Sequence, residues 1–195
     1  MVNISAFSQK ILVHRFYLLD KNPDKIIISG LSGSGKTTFA RNLHKQFNLR
    51  IESLDDLYWN LAKEKVGPKF NPWSEALPKR EQNEVMIELD EFIKKGKGTI
   101  FEGLHIGAPE IGSHIFDNPI FLLKTSSFTS TLRAIKRDLK KIENPFGFFG
   151  TVIDRIRTQI AIFDIMNLLE CEILKRNEFE ILAKADVFKL NGTRK

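Results

Sequence analysis

Gly30-Leu31-Ser32-Gly33-Ser34-Gly35-Lys36-Thr37 follows directly on the apolar run Lys25-Ile26-Ile27-Ile28-Ser29 and leads straight into Thr38-Phe39-Ala40-Arg41-Asn42-Leu43. Two glycines separated by four residues, then a lysine and a hydroxyl residue, between a strand-like and a helix-like segment, form the pattern of a phosphate-binding loop. The glycines let successive backbone N–H groups turn inward toward a polyphosphate, and the helix that follows adds its positive N-terminal end. Gly30, Ser32, Gly33, Ser34, Gly35, Lys36, Thr37 and Thr38 are therefore the candidate nucleotide contacts. Lys36 is expected to reach the β- and γ-phosphates of ATP, and the Thr37 hydroxyl to ligate Mg²⁺. A plain glycine-rich turn before a helix is the alternative, and it gives no reason for Lys36 and Thr37.

Working outward, the helix that opens inside this loop is expected to run to about Phe47, with Phe39, Leu43 and Phe47 as its buried stripe. Residues 1–24 precede the first strand of the nucleotide core. Within them Ile11-Leu12-Val13-His14-Arg15-Phe16-Tyr17-Leu18-Leu19 is too apolar for a loose tail and predicts an added edge strand or short helix packed on the core. Residues 25–195 form the main domain in this reading. A second strand, Leu49 to Leu54, ends at Asp55-Asp56-Leu57-Tyr58-Trp59. Asn60 to Trp73, with Gly67-Pro68 and Asn71-Pro72, reads as a surface loop beside the ligand.

A helix from Ser74 or Lys79 to Lys95 follows, with Val85, Leu89 and Phe92 on one face and Gly96 as its stop. Thr99-Ile100-Phe101 makes a short buried strand ending at Glu102-Gly103, and Ile120-Phe121-Leu122-Leu123 another. Ser126 to Ile142 has apolar Phe128, Leu132, Ile135, Leu139 and Ile142, with Arg133, Lys136, Arg137 and Lys140 opposite, the pattern of a basic amphipathic helix. Asn144-Pro145-Phe146-Gly147-Phe148-Phe149-Gly150 breaks it. A long apolar helix with Val152, Ile156, Ile160, Phe163, Met166, Leu169 and Ile173 comes next, and a last strand is predicted at Asp186–Leu190. Strands alternating with helices imply an α/β fold, a three-layer α/β/α arrangement around a parallel five-stranded sheet, with ligands at the carboxyl ends of the strands and a helical lid.

The 195 residues suit one domain with a sizeable core, and 42% hydrophobic with 28% charged content excludes general disorder. A net charge of +6 favours polyanionic ligands such as nucleotides. Nucleic acid fits the same charge, but no recognised nucleic-acid motif accompanies it, and a nucleotide-gated nucleic-acid ATPase ranks well below the small-molecule readings. No apolar run approaches the roughly 18 residues of a membrane span, and no secretory leader pattern opens the chain, so a cytoplasmic protein is expected. The single cysteine, Cys171, lies in an apolar helical stretch and is expected to be a buried structural thiol. His14, His44, His105 and His114 lack metal-ligand spacing.

A parallel sheet of this kind brings three strand ends together: the phosphate loop, Asp55 with Asp56, and Glu102. Phosphoryl transfer needs a carboxylate to accept the proton of an attacking hydroxyl and others to hold Mg²⁺. Asp55 is the candidate base, Asp55 and Glu102 with Thr37 the candidate metal set, and the other reading of the Asp pair is capping of the next helix. Arg133 and Arg137, on one side of the basic helix, are candidates for a lid that closes over the transferring charge. Asp56, Tyr58, Trp59 and His105 are candidate acceptor contacts, and Trp73 is a further aromatic near the same loops.

Gly-Leu-Ser-Gly-Ser-Gly-Lys-Thr-Thr-Phe-Ala at 30–40, Leu-Asp-Asp-Leu-Tyr at 54–58, Phe-Glu-Gly-Leu at 101–104, Leu-Arg-Ala-Ile-Lys-Arg-Asp at 132–138 and Ala-Lys-Ala-Asp-Val-Phe-Lys-Leu-Asn-Gly at 183–192 together resemble the uridine kinase and phosphoribulokinase family of P-loop kinases. The resemblance implies an ATP- and Mg²⁺-dependent kinase acting on a small hydroxyl acceptor, a nucleoside first. It places Asp55 at the family's catalytic base, Glu102 at its Mg²⁺-associated acid, Arg133 and Arg137 at its lid arginines and Tyr58 on the acceptor side. An Arg-Gly-Arg-like stretch after the lid helix is absent here. Leu54-Asp55-Asp56-Leu57-Tyr58-Trp59 also resembles small P-loop proteins related to adenylate kinase, including topology modulation proteins. A monophosphate acceptor would draw on Lys63, Lys65 and Lys69.

Overall fold

The computed structural model describes residues 10–70, 77–139 and 147–183. Six strands form one mixed sheet in the order β3-β4-β2-β5-β1-β6. They are β1 (Lys10–His14), β2 (Lys25–Gly30), β3 (Arg50–Ser53), β4 (Thr99–Glu102), β5 (Ile120–Lys124) and β6 (Phe179–Ala183). β2 pairs in parallel with β4 and β5, and β3 pairs in parallel with β4. β1 runs antiparallel to both β5 and β6, so five strands share one direction and β1 opposes them.

The interior strands are apolar on both faces, as a sheet covered on two sides must be. Ile26 and Ile28 of β2 meet Phe39 and Leu43 of α1 (Lys36–Phe47) on one side. Ile27, Phe101 and Leu122 point the other way, into a core shared with α2 (Leu54–Val66), α3 (Lys79–Lys95) and α5 (Gly147–Lys175). α1, with Phe39 and Leu43 buried and Phe47 partly so, follows the expected stripe.

Several expectations need correction. Residues 10–14 form not an edge strand but an interior one, its Ile11, Leu12 and Val13 fully buried between β5 and β6, and a short 3-10 helix, Phe16–Lys21, follows it. The expected loop from Asn60 is helical as far as Val66, because Leu61-Ala62-Lys63-Glu64-Lys65 are good helix formers and the stop comes only at Gly67. On α3 the buried set is Val85, Met86, Leu89 and Ile93, while Phe92 is exposed beside it. Cys171 is exposed, since it lies off the Met166, Leu169, Ile173 stripe that faces the core.

α4 (Ser127–Leu139) departs furthest from its periodicity: Phe128 is 74% and Leu132 50% exposed, whereas Ser130 and Ala134 are fully buried. On α5, Ile156, Ile160 and Phe163 are likewise exposed. β6 supplies a strand at Phe179–Ala183 that the sequence pattern did not suggest. Of the expected breaker at 144–150, residues 147–150 already form the first turn of α5; its residues 144–146, the expected strand at Asp186–Leu190, Trp73, Lys140 and Ile142 lie outside the described residues. No helix among the described residues is long and apolar enough to cross a membrane.

Candidate functional site

The carboxyl ends of β2, β3 and β4 converge on one side of the molecule, and each delivers a polar group there because the chain turns out of the sheet at that point. After β2 the loop from Leu31 to Gly35 swings into α1, with Ser34 N–H donating to the Leu31 carbonyl and Phe39 N–H to that of Gly35. Gly33 has φ +82°, a left-handed conformation that side-chain-bearing residues rarely adopt. It is also pressed against α4: a Cβ there would lie 2.4 Å from the Ser130 carbonyl oxygen and 3.3 Å from the Arg133 Cβ. The buried small residues of α4 are thereby explained, since only Ser130 and Ala134 let its backbone come so close to the loop.

Lys36 is buried, its ammonium donating to the carbonyls of Gly30 at 3.0 Å and Leu31 at 3.4 Å. The next residue, Thr37, donates its hydroxyl to Glu102 Oε1 at 2.8 Å, joining the start of α1 to the end of β4. Glu102 is only 5% exposed. Burial pushes its carboxyl above the usual carboxylate range, and the Thr37 hydrogen bond and the Lys36 charge pull against that. Thr38 is exposed on the same first turn of α1, and Ser32 and Ser34 are buried within the loop.

At the end of β3 the Ser53 hydroxyl accepts the Asp56 N–H and caps α2, so the capping role falls to Ser53 rather than to the two aspartates. Asp55 is half-buried, and its Oδ1 accepts the Leu104 N–H at 2.8 Å, which ties α2 to the segment after β4. Gly103 makes this approach possible, because a Cβ there would meet Leu54 Cβ at 2.8 Å and Asp55 Oδ1 at 3.0 Å. Asp56 is exposed.

Behind Asp55 lies an aromatic wall. The His105 ring stacks on Tyr58 with centroids 4.0 Å apart, and Trp59 meets Tyr58 edge-on at 4.9 Å. Burial holds the His105 imidazole below its ordinary value despite the Asp55 charge, so it is neutral at pH 7. Tyr58 is 7% exposed, with its phenol pushed up by burial, and therefore backs His105 rather than presenting its own face. Arg133 is exposed on α4 beside the glycine-rich loop, and Arg137 lies one turn further along the same helix.

The structure thus gathers Lys36, Thr37, Asp55, Glu102 and His105 around one edge of the sheet, with Asp56, Tyr58, Trp59 and Arg133 close behind. Three contributors were missed in the sequence. The Leu104 amide, which holds Asp55, is one. The others are Ser130 and Ala134, whose i, i+4 small-residue spacing in an otherwise basic helix is the trace that marks the close approach.

The donor set fits Mg²⁺. Two cis ligands of an octahedral Mg²⁺ at 2.0–2.1 Å lie about 2.9 Å apart, close to the separation of the Thr37 and Glu102 oxygens. No cluster of three or more His, Cys, Asp or Glu side chains suited to a metal occurs among the described residues, and Mg²⁺ held beside phosphates needs only one or two protein oxygens.

No protein-family model matches the sequence, and no curated protein matches it. Among solved structures the chain is similar to a gluconokinase from Sinorhizobium meliloti 1021, at 12% identity over 72% of this chain and 96% of that one, with a TM-score of 0.40. It is similar to a shikimate kinase from Acinetobacter baumannii solved with shikimate, at 15% identity over 74% and 79%, TM-score 0.42. A shikimate kinase from Bacteroides thetaiotaomicron is similar at 15% identity over 74% and 82%, TM-score 0.43. At this level of similarity the sites of those enzymes do not transfer to this chain.

Proposed function

We propose that this protein is an ATP-dependent phosphotransferase that moves the γ-phosphoryl group to a hydroxyl of a small acceptor. The observation that supports it is the meeting of the Lys36-Thr37 turn, Glu102 and Asp55 at three adjacent strand ends. In this reading the loop amides and Lys36 hold the phosphates. Thr37 and Glu102 would hold Mg²⁺, which when bound neutralises phosphate charge. Asp55, whose Oδ1 is engaged by Leu104 N–H, offers its other oxygen to the acceptor hydroxyl as proton acceptor. Arg133 and Arg137 supply positive charge from α4 over the loop.

For the acceptor we favour a neutral nucleoside, in line with the resemblance to uridine kinases and with the imidazole and indole surface of His105 and Trp59 beside Asp55. A phosphate-bearing acceptor is less well served. Lys65, one of the lysines it would use, is taken up by Glu84 at 3.5 Å and Glu88 at 2.5 Å on α3.

The test is ADP release from Mg-ATP against nucleosides, nucleoside monophosphates, pantothenate and no acceptor, with Lys36→Ala and Asp55→Asn as controls. Stimulation by a nucleoside that vanishes in both variants is the expected result. Turnover independent of every acceptor would reject the kinase reading in favour of an NTPase.

A further inference from the structure

On the far side of the short 3-10 segment His105–Gly107 from Asp55, the chain encloses a cleft of about 340 Å³ between residues 106–116 and the last turns of α5. Its volume falls at the lower end of small-molecule pockets. None of Lys36, Thr37, Asp55 and Glu102 lines it. The floor is apolar, made by Ile106, Ile111, Ile115, Phe116 and Leu169, all buried. At the mouth stand Ser113, Glu172 and Arg176.

The charges at that mouth are unevenly matched. Glu172 is held by Lys175 at 2.6 Å. Asp117, next to Phe116, and Glu178, two residues beyond Arg176, are both drawn to Arg15, at 3.6 and 2.6 Å. Glu172 also feels the charge of Arg176, but among the described residues Arg176 makes no ion pair. Its guanidinium lies 4.0 Å from the Phe116 ring centroid, a cation–π contact that fixes the group at the rim while leaving its N–H donors available.

We propose that this cleft is a second binding site, for a small organic acid whose apolar body fills the pocket and whose carboxylate pairs with Arg176. A guanidinium that makes no salt bridge among the described residues, beside an apolar floor, matches such a ligand in both charge and shape. The site also abuts the candidate active site. Ile106 and Gly107 line the cleft, while the two residues before them hold Asp55 and stack on Tyr58. Occupancy is therefore read at His105 and, through its edge contact, at Trp59.

The proposal does not depend on the phosphotransfer reading, because its readout is binding. Octanoate and octanol, which share a chain and differ in charge, are titrated calorimetrically into the 195-residue chain, Arg176→Gln and Ala108→Phe. Circular dichroism melts verify that both variants fold. Octanoate is expected to bind the parent protein at one site, more tightly than octanol, and to change the tryptophan emission. Arg176→Gln should weaken octanoate about tenfold, leave octanol unchanged and erase the preference for the acid. Ala108→Phe, which fills the cleft, should abolish both. Octanoate binding no tighter than octanol, or unaltered in either folded variant, would overturn the assignment. A variant that fails to fold is replaced by Arg176→Met or Ala108→Leu, judged by the same criteria.

Discussion

The Thr37 hydroxyl donates to Glu102 Oε1 at 2.8 Å, and that one bond links the first turn of α1 to the end of β4. The burial of that carboxyl sets how the site responds to pH, with the Thr37 bond pulling the other way. Burial raises the Glu102 pKa above its ordinary value, so ionising the group costs the folded state stability. That cost is absent below the ordinary value of 4.5 and grows as pH rises through the raised one. Glu102→Gln keeps an acceptor for Thr37 without the buried charge. It is expected to melt higher than the parent at pH 7 without Mg²⁺ or nucleotide, by about 2–4 °C for each kcal/mol recovered, and to lose that advantage near pH 4. The same variant should lose turnover. In the parent, half-saturating Mg²⁺ should climb as pH falls through the raised pKa. Calorimetric melts and Mg²⁺ titrations at several pH values check both.

Asp55→Asn separates chemistry from architecture. The Asn carbonyl can still accept the Leu104 N–H that Asp55 Oδ1 accepts, so the fold and ATP affinity should stay within about twofold of the parent. Loss of the proton acceptor should lower kcat by about 10²–10⁴. Equal losses of ATP binding and turnover would assign Asp55 a metal-holding or structural role instead.

Gly33 is the point where the glycine-rich loop and α4 touch. Alanine there places a Cβ 2.4 Å from the Ser130 carbonyl oxygen at φ +82°. Since the obstacle is backbone, no rotamer change relieves it, and α4 must move away. We expect a loss of about 1–3 kcal/mol from overpacking, with a further loss from backbone strain, together with weakened ATP binding. Gly98→Ala is the control: φ is +61° with nothing within 4 Å of the added Cβ, so it should show the strain alone and leave ATP binding intact. Thermal melts and nucleotide titrations distinguish the two.

The contrast between these elements explains what could be read from the sequence. β2, the loop and α1 are contiguous, and their apolar periodicity and glycine spacing specify strand, turn and helix locally. β1 and β6 are different. Their places depend on Leu12 facing Leu122 on one side and Ile181 on the other, pairings more than a hundred residues apart that leave no local trace. At Asn60–Val66 the Gly67-Pro68 breaker outweighed helix formers that in fact extend α2 up to it. In α4 the periodic apolar residues Phe128 and Leu132 are exposed, because contact with Gly33 selects side chains for smallness rather than hydrophobicity. The meeting of Asp55 and Glu102 at the candidate site was legible for a simple reason: a parallel sheet brings its strand ends together.

Ser53 supplies the last test, of how the site is aimed. Its hydroxyl accepts the Asp56 N–H at 3.2 Å and defines where α2 begins, one turn that also contains Asp55. Ser53→Ala removes the cap and should cost about 1 kcal/mol, a drop of about 2–4 °C in melting temperature for a chain of this size. If the cap also orients Asp55, kcat should fall severalfold while the KM for ATP holds, and Ser53→Asn, which restores a capping oxygen, should recover both stability and kcat. A stability loss with kcat unchanged would mean that the Leu104 amide alone is enough to hold Asp55 in place.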